Sequence, residues 1–177
     1  AELRRIGKHG LGLRGAKLDW FNGPEPIWHS MWEPMWIDAE ESEVSLSFHI
    51  GVGHGTTTCG PISVEQKLKG DLPRVSQATH QAVVAMQADE CLVAILLCGA
   101  LERHAGLKVV MAESHIGWIP YVLERLDMKY KEGMYSDLIS TQPSELFKRQ
   151  VWATFQDDRV GARLAKDYGP DSFCWAS

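Results

Sequence analysis

Paired cysteines are missing from this sequence. Four occur in 177 residues, Cys59, Cys91, Cys98 and Cys174, and they form no Cys-x-x-Cys pair. That excludes a zinc ribbon or a disulfide framework. Reduced thiols in a cytoplasmic protein are the expectation, and Cys91 and Cys98 share one face of an expected helix, where packing explains them better than redox chemistry. Long apolar runs are also missing. The best, Cys91 to Ala100, is about half the length a bilayer span needs and is flanked by Glu90 and Glu102, so no membrane association is expected. There is no signal-peptide pattern at the start. Positive charge is short: 18 Lys and Arg against 23 Asp and Glu leave a net charge of -5, which argues against a nucleic-acid partner. The local cluster Arg4, Arg5 and Lys8 reads as a solvated helix face. No Gly-rich phosphate loop of the usual spacing follows a strand, which disfavours a doubly wound nucleotide-binding domain. No internal repeat or domain boundary is visible, so residues 1–177 are read as a single domain.

What is present is a globular composition, 45% hydrophobic and 23% charged, arranged as alternating β-like and helical runs. Strand candidates are 15–18, 44–50, 107–112, 151–155 and 172–176. The run 44–50 alternates apolar and polar residues, and 107–112 is the clearest buried strand. Helix candidates are 33–41, 78–104 with an interruption at Gly99, 120–130, 144–149 and 159–168. The last stops at Gly169-Pro170. Strands alternating with helices imply a parallel sheet with helices outside it. Five strands are about five eighths of a (β/α)8 barrel, which takes ~250 residues. A complete doubly wound sheet fits the count as well.

In either architecture the chemistry sits at the C-terminal strand ends. The polar residues there are His49, then Glu113 with Ser114 and His115, then Gln156 with Asp157 and Asp158. His49, before a Gly-rich loop, is suited to ligate a metal or exchange a proton, or to serve as a structural histidine. His54 in that loop is a weaker metal candidate. Glu113 ends a buried strand, poised as a general base or as a salt-bridge partner. Asp158 precedes a helix and is placed to cap it. The stretch 51–77 is long for a structureless connection and reads as functional. Trp28, Trp32 and Trp36 are spaced by four, but Pro34 argues against one helix through all three; core or lid packing is the expectation.

The run Ser47-Phe48-His49-Ile50-Gly51, the run Leu107 to Tyr121, Pro143-Ser144-Glu145, Phe155-Gln156-Asp157-Asp158 and the closing Trp175-Ala176-Ser177 together carry a resemblance. From about Arg14 to the end, the chain resembles the amidohydrolase-related branch that includes aminocarboxymuconate-semialdehyde decarboxylase and related aromatic-acid decarboxylases. The resemblance implies a (β/α)8 barrel with a divalent metal, zinc being the expected ion, at the C-terminal strand ends. It implies that the candidate strands are strands four to eight, that His49 on strand five is a metal ligand, and that Glu113 after strand six is a catalytic acid-base or supporting group. It implies a metal-dependent hydrolase or carbon-carbon lyase (decarboxylase) acting on a small carboxylated or cyclic substrate. The sequence departs from the pattern in three ways. It has no His-x-His, which the family carries on its first strand. It has Glu113 where the decarboxylases carry a His. It stops at Ser177, before the Asp that the family places after its eighth strand. The expectation is therefore a fragment lacking the N-terminal strands and the C-terminal end of the barrel. The alternative is a non-catalytic partial-barrel module that pairs through open strands with a partner or as a homo-oligomer.

Overall fold

The computed structural model describes residues 2–8, 10–20, 23–50 and 74–176. Residues 51–73, with His54 and Cys59 and most of the stretch expected to be functional, and the terminal Ser177 lie outside the described residues. The strands are β1 (Gly15–Leu18), β2 (Ser45–His49), β3 (Val109–Ala112), β4 (Val151–Phe155) and β5 (Phe173–Trp175). They form one sheet in the order β1-β2-β3-β4-β5, with every adjacent pair parallel. This order separates the two architectures the pattern left open. A doubly wound sheet reverses its strand order at a switch point. Here each strand is laid beside the one before it, as a (β/α)8 barrel is wound. Among the described residues β1 and β5 are the edges, so the sheet is an open segment of a barrel.

The helices are α1 (Glu2–Ile6), α2 (Glu33–Glu41), α3 (Arg74–Val83), α4 (Asp89–Leu97), α5 (Ala100–Arg103), α6 (Ile119–Lys131), α7 (Pro143–Gln150) and α8 (Arg159–Tyr168). Prolines open α2, α6 and α7, because a proline in the first turn gives up an N–H that has no helical partner anyway. The side chain of Asp158 caps α8, and Gly169, at φ 106°, ends it. The apolar stretch expected as a helix from 78 to 104 with an interruption at Gly99 is broken there and at one further place. A 3-10 segment occupies Val84–Ala88, where β-branched Val83 and Val84 adjoin, residues that crowd a helical turn. Gly99 then turns the chain at φ 75°. Of the three evenly spaced tryptophans two pack together, while Trp28 is exposed. Trp36 is buried and Trp32 stacks on it obliquely at 6.5 Å. Trp32 belongs to a separate 3-10 turn, Ser30–Trp32, ahead of Pro34.

The core lies between the helices and one face of the sheet. Leu46, Phe48, Val109, Met111, Val151 and Ala153 point from the strands to Cys91, Leu92, Ile95 and Leu96 of α4, Ile119 and Leu123 of α6, and Leu146 and Phe147 of α7. Alternate strand residues (Ser47, Val110, Trp152) point to the other face, which is only half-buried. Cys91 is buried in the core and burial pushes its thiol far up, while Cys98 is shifted the same way. Both are packing residues. The basic cluster is a paired surface: Arg4 meets Asp38 at 2.6 Å and Lys8 meets Glu43 at 2.8 Å. No helix of the described residues is long and apolar enough to cross a membrane.

Candidate active site

His49 and Glu113 stand at the C-terminal ends of adjacent strands. The β2/β3 register pairs His49 with Ala112, so Glu113 is one step beyond it. The His49 Nε2 lies 3.4 Å from Glu113 Oε2. The other ring nitrogen, Nδ1, is 2.6 Å from the carbonyl oxygen of Ile50. A carbonyl oxygen only accepts, so Nδ1 carries the proton and donates. Nε2 then faces the carboxylate as a lone pair or with a second proton. A lone pair facing a carboxylate is a contact of two acceptors, and a cation between them resolves it. The 3.4 Å spacing exceeds the ~2.7–2.9 Å of a charge-assisted hydrogen bond. It matches the ~3.4 Å between two tetrahedral ligands whose bonds to a common metal are ~2.1 Å. A backbone acceptor on the remote nitrogen is also how metal-binding histidines are commonly oriented. The pair therefore fits a divalent cation as two of its donors. Two donors do not complete a site. Among the described residues no three His, Cys, Asp or Glu side chains gather where a metal would be held.

The turn that presents Glu113 is unusual. Glu113 and His115 have φ of 54° and 49°, in the left-handed region that L-residues avoid at a cost on the order of 1 kcal/mol each or more. Hydrogen bonds from several directions hold it there. The Glu113 N–H donates to Thr154 Oγ1 of β4 at 2.9 Å. The buried Ser114 hydroxyl turns back to the carbonyls of Met111 and His115, and Trp118 Nε1 donates to Ser114 O at 2.7 Å. The N–H groups of Ile116 and Gly117 donate to Asp158 Oδ2 at 2.8 and 2.7 Å.

The other candidates divide. Asp158 is the helix cap expected of it, its Oδ1 accepting from Gly161 N–H at 2.7 Å. Burial pushes its carboxyl upward, but the N–H groups of Gly161, Ile116 and Gly117 outweigh that and hold it below the usual range. Gln156 and Asp157 are exposed. His115 Nδ1 is buried without a hydrogen-bond partner. Two residues at this end of the sheet were not singled out by the sequence pattern. Thr154 looks like an ordinary strand threonine, and only the β3/β4 pairing puts its hydroxyl under Glu113. Asp19 follows a four-residue strand, and extending the β1/β2 register by one step places it opposite His49. A carboxylate directly after a strand was a usable signal for Asp19.

No family model matches the chain, and no curated protein matches it either. Solved structures do match. A 5-carboxyvanillate decarboxylase from Sphingomonas paucimobilis superimposes with a TM-score of 0.70 at 20% identity, over 99% of this chain and 50% of that one. A dihydroxybenzoic acid decarboxylase from a Polaromonas species, with bound manganese and the inhibitor 2-nitroresorcinol, gives 0.67 at 15% identity over 99% and 52%. An amidohydrolase from Mycobacterium avium subsp. paratuberculosis gives 0.58 at 19% identity over 83% and 35%. The chain thus spans about half the length, or less, of the proteins it is similar to. By fold, the chain is a partial (β/α)8 barrel, similar to about half, or less, of the length of each of these proteins.

Proposed function

We propose that this chain is part of a metal-dependent amidohydrolase-type enzyme, a hydrolase or carboxy-lyase acting on a small carboxylated or cyclic substrate. The observation that carries the reading is the approach of His49 Nε2 to Glu113 Oε2 at the C-terminal ends of two parallel strands, where barrels of this kind keep their chemistry. The likeness in fold to aromatic-acid decarboxylases supports the substrate class. His49 would hold the ion through Nε2, and Glu113 would face the same ion or the substrate beside it. Zinc was the expected metal, and manganese is equally compatible with an imidazole and a carboxylate. Further donors are required, and Asp19, one register step from His49, is a candidate for one. When bound, the ion would supply positive charge to orient and polarise a substrate oxygen. Glu113, 53% exposed at its side chain, is open to substrate and able to exchange protons. In decarboxylation it would deliver a proton to the carbon whose bond to the departing carboxylate breaks. In hydrolysis it would take a proton from water and return it to the leaving group.

The test is His49→Ala and Glu113→Gln in the protein that bears the complete barrel. His49→Ala is expected to remove bound zinc or manganese and to lower turnover of aromatic acids by at least ~100-fold. Glu113→Gln is expected to weaken metal binding at least ~tenfold, less than His49→Ala does, and to lose turnover. Wild-type metal content and turnover in His49→Ala would refute the assignment.

A second reading rests on the open sheet. The edges β1 and β5 and the half-buried inner face favour a non-catalytic module that pairs with a partner or with a second copy. Size-exclusion chromatography with metal analysis of the chain separates the two. Metal-free oligomers favour the module, and stoichiometric metal favours the enzyme.

A further inference from the structure

Asp158 does more than a helix cap requires. Capping α8 takes one carboxylate oxygen on one N–H, and Oδ1 on Gly161 supplies that. The second oxygen is committed wholly to another loop, accepting from Ile116 and Gly117, 42 and 41 residues away in the chain. The packing is built around this contact. A Cβ added to Gly161 would sit 2.5 Å from Asp158 Oδ2, and one added to Gly117 would sit 3.1 Å from Oδ1, so both glycines let backbone close directly on the carboxylate. The loop so gripped contains two left-handed non-glycine residues within three positions, Glu113 and His115. Such a turn relaxes unless its surroundings over-determine it, and relaxation at Glu113 would rotate its side chain away from β2. Thr154 Oγ1 holds one end of the turn through the Glu113 N–H, and Asp158 holds the other.

We infer that Asp158 is a positioning residue for Glu113: its carboxylate locks the turn after β3 to the turn after β4 and thereby keeps Glu113 against His49. Thr154 acts in the same sense from the strand side. The three N–H donors keep the carboxyl ionised at neutral pH, so the lock is charge-assisted. The inference rests on the reading of His49 and Glu113 as the functional pair.

Asp158→Ser separates the two duties, because serine is a good N-cap but lacks the second oxygen that reaches residues 116 and 117. Thr154→Val removes the other tie and leaves the cap alone. Manganese titration followed by electron paramagnetic resonance, on the complete-barrel protein, gives the readout. Asp158→Ser and Thr154→Val are each expected to weaken manganese binding about tenfold, and to weaken it no further once Glu113→Gln is present. A merely structural role would weaken binding equally in both backgrounds, and that result overturns the inference, as does unchanged binding in a folded Asp158→Ser protein. Should Asp158→Ser not fold, Thr154→Val decides by the same criterion. Should the wild-type protein bind no manganese, the metal reading fails by itself. Crystal structures of the two variants then decide the positioning role: Glu113 leaving the left-handed region and moving off His49 upholds it, and an unchanged turn overturns it.

Discussion

Glu113 and His115 share a backbone conformation but differ in what it serves. Glu113 is turned toward His49, 3.4 Å away. His115 carries the same strain, and its Nδ1 is buried with no hydrogen-bond partner. Glycine at position 115 would relieve both. Left-handed strain of about 1–2 kcal/mol, less about 0.5–1 kcal/mol for the added freedom of the unfolded chain, leaves a net gain near 1 kcal/mol. His115→Gly is therefore expected to raise the melting temperature by about 2–4 °C, read by calorimetry. A fall would show that the imidazole contributes to the fold. Position 113 was legible as a candidate because a carboxylate directly follows a buried apolar run. Its left-handed backbone was not, since no glycine marks it and the hydrogen bonds that enforce it come from residues 118, 154 and 158.

Between α2 and the connection from α5 to β3 lies a charged cluster that no local pattern announces. His104 Nε2 lies 2.8 Å from Glu33 Oε1 and its Nδ1 lies 3.1 Å from Glu40 Oε2. Glu40 also accepts from Gly106 N–H at 2.6 Å, and Arg103 donates to both Glu33 oxygens. The Arg103 hydrogen bonds, joined by His104 and opposed by burial, hold the Glu33 carboxyl down at about 2. A depressed folded-state pKa gives stability that is complete above the unfolded value, near 4.5, and is lost as pH falls toward 2. Glu33 is about one-third exposed, so solvent screening reduces the contribution to ~1–2 kcal/mol. Glu33→Gln is expected to flatten the decline in urea-unfolding free energy between pH 5 and pH 2.5 by about that amount. An unchanged acid slope would assign it to other carboxylates. Among the helices, α2, α6 and α7 were readable at their starts from Pro34, Pro120 and Pro143, and α8 at its end from Gly169-Pro170. The 78–104 stretch was misjudged as a helix broken only at Gly99, because a wide apolar face conceals an interruption within it.

At the level of the whole molecule, helices cover one face of a parallel sheet whose other face is half-buried among the described residues, with β1 and β5 at its edges. Parallel sheets are normally covered on both faces, which makes the half-buried face and the edge strands the places to test for association. Trp175 on edge strand β5 is 70% exposed. If the open edge drives association, Trp175→Lys, a charge of the kind that blocks edge pairing, is expected to shift the chain toward monomer in sedimentation at micromolar concentration. Identical sedimentation of variant and parent would place any association elsewhere.

The sequence alone determined most of the elements: five strands, the helices between them apart from the break at 84–88, the polar residues at the strand ends, and a resemblance that pointed to a barrel. These depend on periodicity, turn residues and short motifs, all local along the chain. Tertiary structure decided the rest. Strand order, which ruled out the doubly wound sheet, is a matter of which strands pair. The meeting of His49 with Glu113 depends on the register of β2 against β3 and on a strained turn. The grip of Asp158 on that turn joins backbone 42 residues apart. Such contacts are chosen by the packing of the whole sheet against its helices, so no window of sequence contains them.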